Sequence, residues 1–121
     1  MSSGPAGRRP LGVTRVANQV VAWIAVLTAL QVPGVHAMYQ AAGQSLERVL
    51  RRSLAHRGAR VQLREDGTTL DIDLFLVLLA GNSAPEVGRE VQRRVADAVE
   101  RMLGLSVGSI DVHISEVVFA S

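Results

Sequence analysis

The stretch Arg60–Leu78, R-V-Q-L-R-E-D-G-T-T-L-D-I-D-L-F-L-V-L, leaves the chain few options. Asp66-Gly67 is a two-residue turn signal between segments in which apolar and polar residues alternate, and a β-hairpin satisfies both patterns at once. With Asp66 and Gly67 as the loop, the register follows. Val61 faces Ile72 and Leu63 faces Leu70 on one side; Arg60 faces Asp73 and Gln62 faces Asp71 on the other. Cross-strand pairs of these kinds are worth roughly 0.2–1 kcal/mol each. The hairpin organises a fold and carries no chemistry of its own.

Around it the chain has the material for one domain. It has 121 residues and is 48% hydrophobic but only 3% aromatic, so its core is built from Val, Leu, Ile and Ala. There is no cysteine, which excludes disulfides and thiolate chemistry. All 13 basic residues are Arg, against 11 acidic ones. Arg8 and Arg9 lie in the opening M-S-S-G-P-A-G-R-R-P, which reads as a disordered tail over residues 1–10. The remaining body, residues 11–121, is electrically neutral, which argues against a dedicated DNA-binding domain.

In chain order, Gly12–Val16 has the make-up of a short edge strand, and a helix is expected from Ala17 to Gln31, stopped by Val32-Pro33-Gly34. Val16, Val20, Trp23, Ile24, Leu27 and Leu30 form one broad apolar stripe, the side expected to pack inward. Ala22, Ala25 and Ala29 line the opposite side, with Val21 and Val26 on the flanks. No charged residue occurs between Arg15 and Glu47. A helix apolar on all sides is buried on more than one face, so the alanine side is expected to meet another chain. The unbroken apolar run Val20–Leu30 is well short of the roughly 20 residues of a membrane span. Arg8, Arg9 and Arg15, this run and Val35-His36-Ala37 have the order of a signal peptide, but Asn18 and Gln19 interrupt it.

Val35–Tyr39 reads as a weak strand, Ala41–Ser45 as a loop and Leu46–Ala55 as an amphipathic helix whose outer face carries Arg48, Arg51 and Arg52. Beyond the hairpin, a helix is expected over Ala84–Leu103. Ser83-Ala84-Pro85-Glu86 has capping-box spacing, Gly104 is a stop, and Val87, Val91, Val95, Ala98, Val99 and Met102 are the buried stripe. Glu90–Arg94 and Asp97–Arg101 pair along its wet side. A strand from Ser109 to about Phe119 closes the chain, its alternation slipping at Glu116-Val117-Val118 as at a bulge.

Chemistry is sparse. His36, His56 and His113 have neither Cys partners nor metal-helix spacing, so no metal or cofactor is called for. His113 shares a strand face with Asp111 and Ser115, but residues two apart on a strand lie in a row and do not converge on one atom. Asp71 and Asp73 are accounted for by Gln62 and Arg60. No P-loop or G-x-x-G clamp is present. Arg48, Arg51, Arg52, Arg57, Arg60 and Arg64 are the best polar candidate, suited to phosphate, anionic lipid or an acidic surface.

Several strings in this order resemble the bacterial alkaline-shock, or general-stress (envelope stress response), protein family. They are Gly12-Val13 and Val16-Ala17 before the first helix, Val32-Pro33-Gly34-Val35 after it, the hairpin Val61–Leu78, Ala84-Pro85-Glu86-Val87, and Val112-His113-Ile114 with Val117-Val118-Phe119. The chain departs from the family's pattern at Asn18-Gln19, where a Pro-Glu pair is common, and over Tyr39–Arg57. The resemblance implies an α+β domain with two main helices on one face of a small mixed sheet. It also implies a non-enzymatic cytoplasmic protein that associates with itself or with a membrane-anchored relative, touching the membrane only through that partner. On this reading the candidate partner-binding residues are Ala22, Ala25 and Ala29 with Arg48, Arg51 and Arg52. The alternative is a nucleic-acid or anionic-lipid module using the arginine face.

Overall fold

The computed structural model describes residues 11–39 and 58–120. In chain order they form α1 (Leu11–Leu30), β1 (Val35–Met38), β2 (Ala59–Leu63), β3 (Thr69–Leu79), α2 (Ala84–Leu103) and β4 (Ser106–Val118). The four strands make one mixed sheet centred on β3. β1 and β2 pair antiparallel with β3, while β4 runs parallel to it from Thr69↔Ser106 to Leu79↔Val118. The helices pack on the inner face, giving the expected α+β architecture. The expected tail over residues 1–10, the loop Ala41–Ser45 and the helix Leu46–Ala55 lie outside the described residues.

The hairpin register is the expected one: Arg60↔Asp73, Val61↔Ile72, Gln62↔Asp71 and Leu63↔Leu70. The loop is wider than the two residues expected. Arg64 N donates to Thr69 O at 2.8 Å and Gly67 N donates to Arg64 O at 2.9 Å, so Glu65–Thr68 forms the connection. The register survives because both loops are centred on the same peptide. Asp66 selects the wider one. Its carboxylate accepts from Thr68 N and Thr69 N at 2.9 Å and from the Thr69 hydroxyl at 2.6 Å, and Gly67 supplies the left-handed φ of 77°.

The core forms where α1, α2 and the inner face of β3 meet. Leu70, Ile72, Leu74, Leu76 and Leu78 point inward from β3 and are at most 4% exposed. α2 presents Val87, Val91, Val95 and Val99 to them. Met102, expected in that stripe, is instead exposed: it lies in the last turn, beyond the packed rows. The Ser83 hydroxyl accepts from Glu86 N at 3.3 Å, and Gly104 ends the helix with φ 69°. Glu90 pairs with Arg94 as expected and with Arg93 as well, and Asp97 pairs with Arg101.

Two boundaries move. Gly12–Val16 is helical, so α1 begins at Leu11 rather than Ala17, and no edge strand precedes it. β4 starts at Ser106, three residues before the expected start, because Gly108 is skipped in the pairing; the second slip skips Ser115, just before the expected site. At the corner after α1, Gly34 has φ 100° and its carbonyl accepts from Leu79 N at 2.9 Å. A Cβ there would come within 2.8 Å of Val87 Cγ2, so the corner needs glycine to seat α1 beside α2.

The turn carries a pH signature. Hydrogen bonds from the Thr69 hydroxyl, Thr68 N and Thr69 N hold the Asp66 carboxyl down at about 2. A depressed carboxyl stabilises the fold above its unfolded value near 4 and loses that contribution as pH falls toward 2. Urea unfolding of the unmodified chain and of Asp66→Asn should therefore differ at pH 5, with the unmodified chain more stable. The difference should shrink toward pH 2.

Candidate functional site

α1 has two faces, and they are reversed from the sequence expectation. Val21, Ala22, Ala25 and Ala29 are completely buried, with Val26 and Val32 beside them. Val20, Trp23, Leu27 and Leu30 face outward at 36%, 56%, 53% and 42% exposure. Ala22, Ala25 and Ala29 thus form part of this domain's own core and are closed to a partner. The reason is steric: α1 must fit against α2, β1 and β2 together, and small side chains let helices and sheets approach closely. The larger side chains are left with the solvent side.

The outward residues follow a 3-4-3 spacing, the pattern of a helix-packing seam, over about 15 Å of helix. Ile24 and Thr28 lie half-buried at its margin, and Gln19 and Gln31 are exposed beside it. Between Asn18 and Gln31 the helix carries no charged residue. An outward row of large apolar side chains on a small domain is the usual mark of a contact surface.

The outer face of the sheet is polar and internally satisfied. Arg64 donates twice to Asp71, Nε to Oδ2 and Nη2 to Oδ1, both at 2.8 Å. The Ser109 hydroxyl donates to Asp71 Oδ1 at 2.8 Å. These bonds, the arginine's first, hold the Asp71 carboxyl below its ordinary range. Asp73 lies 3.1 Å from His113 Nε2, and the His113 ring stacks on Phe75 with centroids 4.6 Å apart. The Arg60 guanidinium sits 5.9 Å over the same phenyl ring. The expected partners were Gln62 for Asp71 and Arg60 for Asp73; the observed ones are diagonal or on β4, because long side chains on a twisted sheet reach past the residue opposite.

This row ties three strands together. The Ser109 proton goes to Asp71 rather than to His113, and both Asp71 oxygens are taken. Among the described residues, no three His, Asp or Glu side chains are placed to share a metal ion. An open groove runs between the α1–β1 corner and the start of α2, lined by Val32, Pro33, Asn82 and Glu86, and its Arg93 and Arg94 are already paired with Glu90. Of the candidate arginines, Arg48, Arg51, Arg52 and Arg57 lie outside the described residues, while Arg64 is taken by Asp71 and Arg60 sits over Phe75. No described helix is long and apolar enough to cross a membrane. Ser109, Phe75 and the outward seam of α1 were missed in the sequence. The 3-4-3 spacing was visible for the seam; the parallel β3–β4 register, which creates the polar row, has no local signal.

Among the described residues the fold is thus a four-stranded mixed sheet backed by two helices, with a hydrogen-bonded polar outer face and an exposed apolar row on α1. A model of the ASP23 family, described as having cell envelope-related function, matches residues 7–119. The chain belongs to this family. The protein YloU of Bacillus subtilis (strain 168) is 29% identical over 112 residues, spanning 91% of this chain and 92% of its own. YqhY of the same strain is 32% identical over 112 residues, spanning 90% of this chain and 79% of its own. Both relatives are uncharacterized. Among solved structures, a manganese form of the MamM CTD is similar at 17% identity and a TM-score of 0.48, covering 81% of this chain and 96% of that one.

Two expectations test this geometry. Ala25→Arg, which forces a charge into a fully packed site, should cost more than about 3 kcal/mol, whereas Leu27→Arg on the open face should stay within about 0.5 kcal/mol, both read by urea denaturation. In Arg64→Ala, the Asp71 carboxyl should titrate at higher pH than in the unmodified chain, read by NMR.

Proposed function

We propose that this protein is a non-catalytic scaffold or adaptor of the cell envelope, acting through contacts with a second copy of itself or with a membrane-anchored relative. The observation that carries this reading is the outward seam of α1. Val20, Trp23, Leu27 and Leu30 stand in water on a helix whose other face already supplies the domain's core. Burying apolar area is worth about 25 cal/mol per Å², so a row containing a half-exposed tryptophan and leucine is a strong driver of association. The seam replaces Ala22, Ala25 and Ala29 as the contact surface. Membership of a family of cell envelope-related function sets the cellular context. The membrane contact is indirect, made through the partner.

Crosslinked pull-down of the tagged protein from cells, membrane fraction included, followed by light scattering of the eluate, tests the reading. Complexes larger than one chain are expected. Leu27→Arg and Trp23→Ser should each reduce their recovery at least tenfold while the thermal midpoint stays within a few degrees. Recovery of a lone chain from both fractions, or complexes indifferent to both substitutions, would reject it.

A further inference from the structure

We infer that β4 is a self-complementary edge through which two copies of this chain pair antiparallel about a two-fold axis at Val112, joining their sheets into one. The inference rests on the self-association reading above and specifies a surface for it. β4 is 13 residues long and pairs with β3 along one side only; no other described strand lies along its far side. Of the devices that shield natural edge strands, β4 lacks shortness, proline and lysine; its two bulges, at Gly108 and Ser115, lie on either side of residues 109–114 and leave the pairing of that segment regular.

Backbone direction on this edge can be read from three contacts. Ser106 N donates to Thr68 O and Val118 O accepts from Ala80 N, which turns both residues toward β3. With Gly108 and Ser115 skipped in the pairing, residues 109, 111 and 113 also turn toward β3, and residues 110, 112 and 114 turn outward. The Ile110 carbonyl accordingly accepts from Gln92 Nε2 of α2 at 2.8 Å, keeping a second lone pair free. The outward N–H and C=O groups therefore belong to Ile110, Val112 and Ile114.

The sequence Ser109–Ser115, S-I-D-V-H-I-S, is the same in chemical type from either end except at Asp111 and His113, where acceptor and donor are complementary. Antiparallel pairing centred on Val112 places Val112 opposite its own copy and Ile110 opposite Ile114, both as hydrogen-bonded pairs. Asp111 then faces His113 of the second copy at the close, non-hydrogen-bonded position. The two neighbouring registers that keep the same hydrogen-bonding phase put Asp111 opposite Asp111, or His113 opposite His113. An imidazole N–H facing a carboxylate favours the Val112 centre, whereas facing carboxylates disfavour the Asp111 centre and the His113 centre lacks the acid–imidazole contact. A two-fold interface requires such self-complementarity, and it identifies the occupant of this edge as a second copy.

The chain has no cysteine, so engineered thiols report only where they are placed. Asp111→Cys and His113→Cys proteins are prepared separately, then mixed and mildly oxidised. Facing Cα atoms at the close position are about 4.5 Å apart, within disulfide range, whereas same-residue pairs are diagonal at about 7–8 Å and fall outside it. The mixture should give at least tenfold more covalent dimer than either protein alone. Val112→Pro removes an outward N–H that β3 does not use, and should lower the mass in light scattering with its helical signal retained. Asp111→Arg, a surface change that leaves the ladder intact, should weaken dimerisation at least tenfold. Complexes that persist with no preferential cross-link and no response to Val112→Pro or Asp111→Arg would overturn the β4 interface and leave self-association standing. A single-chain mass for the unmodified protein at hundreds of micromolar would overturn both.

Discussion

The structure depends on the burial of one face of β3. Leu70, Ile72, Leu74, Leu76 and Leu78 form an unbroken inward row, and every other described strand is hydrogen-bonded to this one. β2 is brought to it by a tight turn, β4 by a helical crossover and β1 by the corner at Gly34. Without this row there is no surface for Val87, Val91, Val95 and Val99 of α2 to cover, and no floor for the alanines of α1. A slip of one residue in β3 would turn the whole leucine and isoleucine row toward water, so its register is strongly held.

Space sets the orientation of α1. The helix meets α2 and two strands at once, and its side with Ala22, Ala25 and Ala29 lets all of them approach closely. Close packing by small residues leaves the large ones, Trp23 and Leu27 above all, on the surface, so the demand that completes the core also creates the exposed apolar row proposed above as the contact surface. On that proposal, stability and association map onto opposite sides of the same helix.

The outer face of the sheet plays a different part. Arg64, Asp71 and Ser109 close one set of charge-assisted hydrogen bonds, and Asp73, His113, Phe75 and Arg60 form a second row beside it. These contacts join residues nearly forty positions apart and fasten β4 to the hairpin. They also hold β4 in place with its outward backbone groups aligned along the edge.

Local rules determined much of this protein from the sequence by itself. The hairpin register followed from alternation and the Asp66-Gly67 turn, α2 followed from its cap, its stop and its valine period, and the family resemblance followed from short strings in order. These features depend on neighbours within a few residues, where backbone geometry and periodicity dominate. What only the tertiary structure decided was non-local. The inward side of α1 was misjudged because side-chain size was read as burial, whereas the room left by α2 and the sheet favours alanine. Gly12–Val16 joined the helix against its strand-like composition. The partners of Asp71, Asp73 and His113 came from a parallel register between β3 and β4 that no adjacent residue encodes. The symmetry of Ser109–Ser115 was in the sequence throughout, but it acquired meaning only when the fold left that strand at an edge, because self-complementarity matters only where backbone hydrogen bonds remain to be made.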